Sequence, residues 1–107
     1  MKGADFMKKI INGKKYDTET ARLIAKVDAD CYPSDFRYYV EKLYQKKTKE
    51  YFLYAEGNPL SPYGKPYANG WVSSEQIIPY TEEEAKAWAA RNMSVNEYEK
   101  LFGEIEE

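Results

Sequence analysis

The sequence predicts an α+β domain: a small, largely antiparallel β-sheet with a long central hairpin, packed by one N-terminal and two C-terminal helices. Three observations predict it. Asn12-Gly13 sits between two short runs and supplies the positive φ angles of a tight hairpin turn. Aromatic and branched residues dominate from Phe36 to Tyr44 and again from Tyr51 to Glu56, on either side of a lysine-rich bend. Two capping boxes, Thr81 with Glu84 and Ser94 with Glu97, each precede apolar residues at helical spacing.

Taken in order, residues 1–6 precede a second methionine, Met7, and read as a disordered leader or an expression remnant, with 7–107 as the single domain. Lys8 to Asn12 is a strand that returns through Lys14 to Tyr16. Asp17 or Thr18 then caps a helix over 18–28, in which Ala21, Leu23, Ile24 and Val27 recur at helical spacing. Pro33 separates it from the central hairpin, whose turn falls near Thr48 and Lys49. Three prolines and three glycines between 57 and 73 mark a long loop. Gln76 to Ile78 is a short strand ending at Pro79, and the two capped helices complete an order β-β-α-β-β-loop-β-α-α. Ala85, Trp88 and Ala89 form the apolar stripe of the first; Val95, Tyr98, Leu101, Phe102 and Ile105 form that of the second, which Gly103 ends.

Composition bounds the chemistry. The chain has 107 residues, 43% apolar and 32% charged, the balance of a soluble globular domain, with neither a signal peptide nor a membrane-length apolar run; a cytoplasmic home follows as the expectation. Histidine is absent, which removes the commonest general base and metal ligand, and Cys31 is the single cysteine, so neither a disulfide nor a thiolate cage can form within the chain. No catalytic set, cofactor site or metal site is expected, and the chain reads as a non-enzyme. Asp28, Asp30 and Asp35 outline a calcium loop, but Tyr32 and Pro33 occupy positions that need an oxygen ligand and a glycine. Glu82 to Glu84 are explained by a helix start, where carboxylates meet the positive end of the dipole. The net charge of −2 hides a polarity: residues 1–54 hold 12 basic and 8 acidic side chains, residues 55–107 hold 4 and 10.

Eleven tyrosines, four phenylalanines and two tryptophans bring aromatics to 16%. Tyrosine joins contact area to a polar tip at low entropic cost, so it is enriched where partners dock. Tyr63, Tyr67 and Trp71 in the long loop, interleaved with Lys65 and bracketed by Pro and Gly, form the candidate partner-binding segment. A competing expectation is nucleic-acid binding, with sheet aromatics stacking on bases and Lys42, Lys46, Lys47 and Lys49 on phosphates, although 49–54 does not match the RNP1 pattern.

The chain resembles a family of small proteins, about a hundred residues long, encoded on bacterial phages and integrative elements. The resemblance rests on Ile10 to Tyr16 with Thr18 to Ala21, on Ser34-Asp35-Phe36, Leu43-Tyr44, Tyr51 to Tyr54 and Glu56-Gly57, on Ile77-Ile78-Pro79 with Thr81 to Ala85 and Trp88, and on Tyr98-Glu99 before Phe102-Gly103. It covers nearly the whole chain from Met7. Asn58 and Ser73-Ser74 stand where the family pattern has glycines. The resemblance implies an anti-CRISPR-like role: stoichiometric inhibition of a bacterial defence nuclease or its guide complex. Acidic residues suit a basic nucleic-acid channel, which makes Glu56, Glu75, Glu97 and Glu99 the charged candidates. The alternative is a nucleic-acid-binding accessory or regulatory protein of the mobile element.

Overall fold

The computed structural model describes residues 6–107, so all of the expected leader except Phe6 lies outside the described residues. Among the described residues eight strands precede two helices: β1 (Lys8–Ile11), β2 (Lys14–Asp17), β3 (Arg22–Asp28), β4 (Tyr39–Gln45), β5 (Tyr51–Gly57), β6 (Lys65–Tyr67), β7 (Gly70–Val72), β8 (Ser74–Tyr80), α1 (Glu82–Asn92) and α2 (Val95–Phe102). The main sheet is antiparallel throughout, in the order β3-β4-β5-β8; β1-β2 and β6-β7 are separate two-stranded ribbons. The architecture is α+β, as the sequence predicts.

β5 explains the layering. Tyr51 to Ala55 is a continuous buried run, the pattern of a strand covered on both faces. Side chains alternate along it. Tyr51, Leu53 and Ala55 face one side and pack with Leu43 and with Ala85, Trp88 and Ala89 of α1. Phe52 and Tyr54 face the other and pack with Tyr16, Tyr44 and Ile77. The β1-β2 ribbon covers that second face: Tyr16 meets Phe52 edge-on at 5.5 Å and Phe52 stacks on Tyr44 at 5.2 Å. A backbone bond from Thr18 N to Met7 O and a bond from Met7 N to the Thr18 side-chain Oγ1 close the ribbon's base. Both helices start at the expected capping boxes, and α2 lays Tyr98 and Phe102 against the rim of the first cluster.

Four expectations are corrected. No N-terminal helix forms: Arg22–Asp28 is β3, paired with β4, and the Asp17 carboxylate accepts from Glu19 N at 2.9 Å in a turn that does not propagate. The central strand begins at Tyr39, three residues after Phe36, which lies exposed in the preceding turn, and its hairpin with β5 stands between two further strands. The region 57–73 is not one loop, because Lys65 to Val72 folds as the β6-β7 hairpin. The last strand runs through Pro79 to Tyr80; β8 pairs only with β5, and an edge strand tolerates a residue without an N–H.

Candidate partner-binding site

The main sheet's second face is covered at one end by Tyr16 and open at the other. At the open end Glu56 of β5 stands directly opposite Glu75 of β8. Tyr54, two residues before Glu56 and therefore on the same face, places its hydroxyl between them, 2.8 Å from Glu75 Oε2 and 3.1 Å from Glu56 Oε2. One phenolic proton thus serves two carboxylates. Like charges directly opposite on a sheet repel, and Lys42, with its Nζ 5.7 Å from the Tyr54 ring centroid, supplies a counter-charge on that face. Burial first, and then the hydrogen bond to Glu75, push the Tyr54 phenol far above its ordinary range, so it stays a donor.

Glu56 and Glu75 line a cleft of about 600 Å³, together with Tyr38, Asn58, Lys65 and Ser74. Its floor is fixed by polar staples. Asn58 donates from Nδ2 to the carbonyls of Pro33 and Asp35, at 3.0 and 2.7 Å, tying the loop before β4 to the loop after β5. Tyr38 donates to Asp28 Oδ2 at 3.0 Å, which binds that same loop to the edge of the sheet. Asn58 therefore holds the two loops together.

The candidate residues separate into three groups. Glu56, Glu75 and Lys65 come together in the cleft, and the β6-β7 hairpin that carries Lys65 projects Tyr67 (69% exposed) and Trp71 (55% exposed) beside it. Trp71 lies opposite Pro66 and Tyr67 opposite Gly70, so the two rings occupy opposite faces of the ribbon. Its turn holds Ala68 at φ 53°, a left-handed conformation that costs an alanine about 1 kcal/mol. Tyr63 does not join them: its hydroxyl donates to Glu41, its ring meets Tyr39 edge-on at 5.9 Å, and it pins the loop to the helical face of the sheet. Glu97 and Glu99 sit on α2, across the sheet from Glu56 and Glu75. Glu97 is engaged in the Ser94 capping box, whose backbone hydrogen bond holds its carboxyl below the usual range, and Glu99 accepts from Ile105 N at 3.0 Å.

Sequence reasoning missed Tyr38, Tyr54, Asn58 and Ser74. The alternation Tyr54-x-Glu56 on a strand carries the signal for Tyr54; the others depend on which loops meet at the sheet end, which no local pattern encodes. Nothing among known proteins extends the reading: the chain matches no family model, no curated protein and no solved structure.

Proposed function

We propose that the chain is a non-enzymatic protein that inhibits a bacterial defence system by stoichiometric binding to a nuclease effector or its guide complex, in the manner of anti-CRISPR proteins. The observation that carries this reading is the placement of the outward Glu56–Glu75 pair beside a protruding hairpin with exposed Tyr67 and Trp71. Two carboxylates that lack full compensation within the fold gain from a basic surface, and a flanking tryptophan supplies the desolvated anchor that binding hot spots require. The absence of histidine and of a thiol pair supports occupation of a surface over turnover of a substrate. The resemblance to mobile-element proteins supplies the kind of partner, and the bacterial cytoplasm is the proposed place of action.

The test is a titration of the protein against purified, guide-loaded CRISPR effectors in a DNA cleavage assay. Inhibition should saturate at one protein per effector. Trp71→Ala should raise the concentration needed by roughly 30-fold, the effect of losing a hot-spot residue, and the double reversal Glu56→Lys with Glu75→Lys should abolish inhibition. Absence of inhibition across representative effectors overturns the reading, as does inhibition at far below equimolar protein, which would mean catalysis.

A further inference from the structure

The opposite end of the molecule from the acidic cleft carries a second, oppositely charged surface. Beside the turn joining β4 to β5 lie two adjoining pockets that share Thr20, Ala21, Lys46 and Lys47; one reaches Lys14 and Lys15 of the β1-β2 ribbon, the other Arg22 of β3, and together they outline a groove. Lys14, Lys15, Arg22, Lys46, Lys47 and Lys49 line it, against the two carboxylates Asp17 and Glu50. Asp17 is buried, accepts from Glu19 N in its own turn and, among the described residues, forms no ion pair with these cations. Glu50 is occupied by two lysines, Lys14 at 2.6 Å and Lys46 at 3.5 Å. Among the described residues no carboxylate lies within ion-pair distance of Lys15, Arg22, Lys47 or Lys49. A protein of net charge −2 thus gathers along one groove four cations that have no carboxylate partner among the described residues.

Lys49 makes the point sharper. It adopts φ 79°, where glycine or asparagine is at ease, so a lysine there is a poor choice for the backbone. The residue is exposed and lines the same pocket as Lys47, so the position adds a charge to the groove. Thr20 adds a hydroxyl to the groove, while that of Thr48 donates to Glu50 Oε1 at 2.9 Å. Free aromatic faces are missing from it: Tyr16 is buried, and Lys46 Nζ lies 3.6 Å from its ring centroid. The chemistry is therefore that of backbone recognition without base stacking.

We infer that the groove between the β1-β2 ribbon and the β4-β5 turn binds the phosphodiester backbone of nucleic acid, independently of sequence. Charge complementarity selects this occupant: a row of separated cations in a groove matches a chain of regularly spaced phosphates, whereas a lone anion would need convergent donors. The site is distinct from the Glu56–Glu75 cleft and does not depend on its role.

Fluorescence anisotropy with a labelled DNA of about 20 nucleotides, single-stranded and duplex, tests the inference directly. Four phosphate contacts predict that affinity falls on the order of 10²-fold between about 50 and 200 mM salt. Lys15→Glu with Lys47→Glu and Lys49→Glu should abolish binding and leave the circular dichroism spectrum and melting unchanged, since these three exposed side chains make no hydrogen bond or ion pair among the described residues; Glu56→Lys with Glu75→Lys should not weaken it. Failure of the intact protein to bind either DNA at the lower salt overturns the inference. So does undiminished binding by the triple variant, or binding to vesicles of anionic phospholipid without binding to DNA.

Discussion

Trp88 of α1 donates its indole N–H to Glu41 Oε1 of β4 at 2.8 Å, joining helix to sheet through a polar bond inside the apolar layer. The other carboxylate oxygen of Glu41 accepts from Tyr63, so one side chain ties strand, helix and loop together. Trp88 is 1% exposed, and without Glu41 its N–H would be stranded among Leu43, Leu53 and Ala85. Hydrogen bonds to charged groups contribute about 1.5–3 kcal/mol each. Glu41→Ala is therefore expected to destabilise the fold by about 3 kcal/mol or more, measured by urea denaturation. Glu41→Gln keeps an acceptor for Trp88 and should cost less than half as much. Equal losses in the two variants would show that packing, and not the acceptor, sets the stability.

The two caps form the most legible part of the chain, and their energetics can be checked separately. Thr81 Oγ1 accepts from Glu84 N at 3.1 Å and Ser94 Oγ from Glu97 N at 3.2 Å, with each glutamate returning a bond to the cap's own N–H. Thr81→Ala and Ser94→Ala should each cost about 1 kcal/mol. Because α1 buries Trp88 and α2 buries no residue fully, Thr81→Ala should lower the global unfolding midpoint, whereas Ser94→Ala should mainly speed amide exchange within α2.

These caps were readable because a helix start is written in four consecutive residues, as is the Asn12-Gly13 turn. The β3 strand was not. Leu23, Ile24 and Val27 satisfy a helical spacing, and the competing alternation Leu23-Ala25-Val27 is blurred by a bulge between Leu23 and Ala25 that lets both Ile24 and Ala25 face the first core cluster. Pairing with β4, a contact between distant residues, decides the outcome. The β6-β7 hairpin hid among prolines and glycines although Asn69-Gly70 is a turn signal: the turn is Ala68-Asn69, with the positive φ on Ala68, one residue before the pair, and each strand has only three residues. The candidate site was half legible. Carboxylates and aromatics could be named, but only the register of β5 against β8 makes Glu56 and Glu75 neighbours and leaves Glu97 and Glu99 behind the sheet.

Gly64 is a position where an added methyl group has nowhere to go. A Cβ built there would lie 2.0 Å from the Pro59 carbonyl oxygen, a backbone atom, so the turn from Asn58 to Gly64 would have to open. Its φ carries no left-handed strain, so the effect is purely steric. Gly64→Ala should cost about 2 kcal/mol, within the range for overpacking, and should loosen Lys65 and the cleft. At Gly57 the obstacle is the Ser61 hydroxyl, a side-chain atom 2.0 Å from the added carbon. Adding Ser61→Ala should therefore relieve much of the cost of Gly57→Ala, while no single side-chain truncation should rescue Gly64→Ala. A rescue of Gly64→Ala by such a truncation would contradict the backbone clash.

Acid titration isolates the contribution of Glu50. The hydrogen bond from Lys14 lowers its carboxyl most, that from Thr48 adds to it, and together they bring the pKa from 4.5 to about 2. The folded state thus binds a proton at this site less readily than the unfolded chain does. A carboxylate depressed in the fold contributes stability that is fully present above the unfolded value and is lost as pH falls through the folded value. Between pH 4.5 and about 2, the native protein should therefore lose stability through this group, while above 4.5 its contribution is constant. Glu50→Gln should flatten the dependence of the unfolding midpoint on pH within that window. The pair is exposed and joins two mobile side chains, so added salt should reduce the difference between the wild-type and variant curves. In the same variant Lys14 and Lys46 are released into the basic groove, and DNA affinity at low salt should rise. A fall would mean that Glu50 organises the lysines for binding more than it neutralises them.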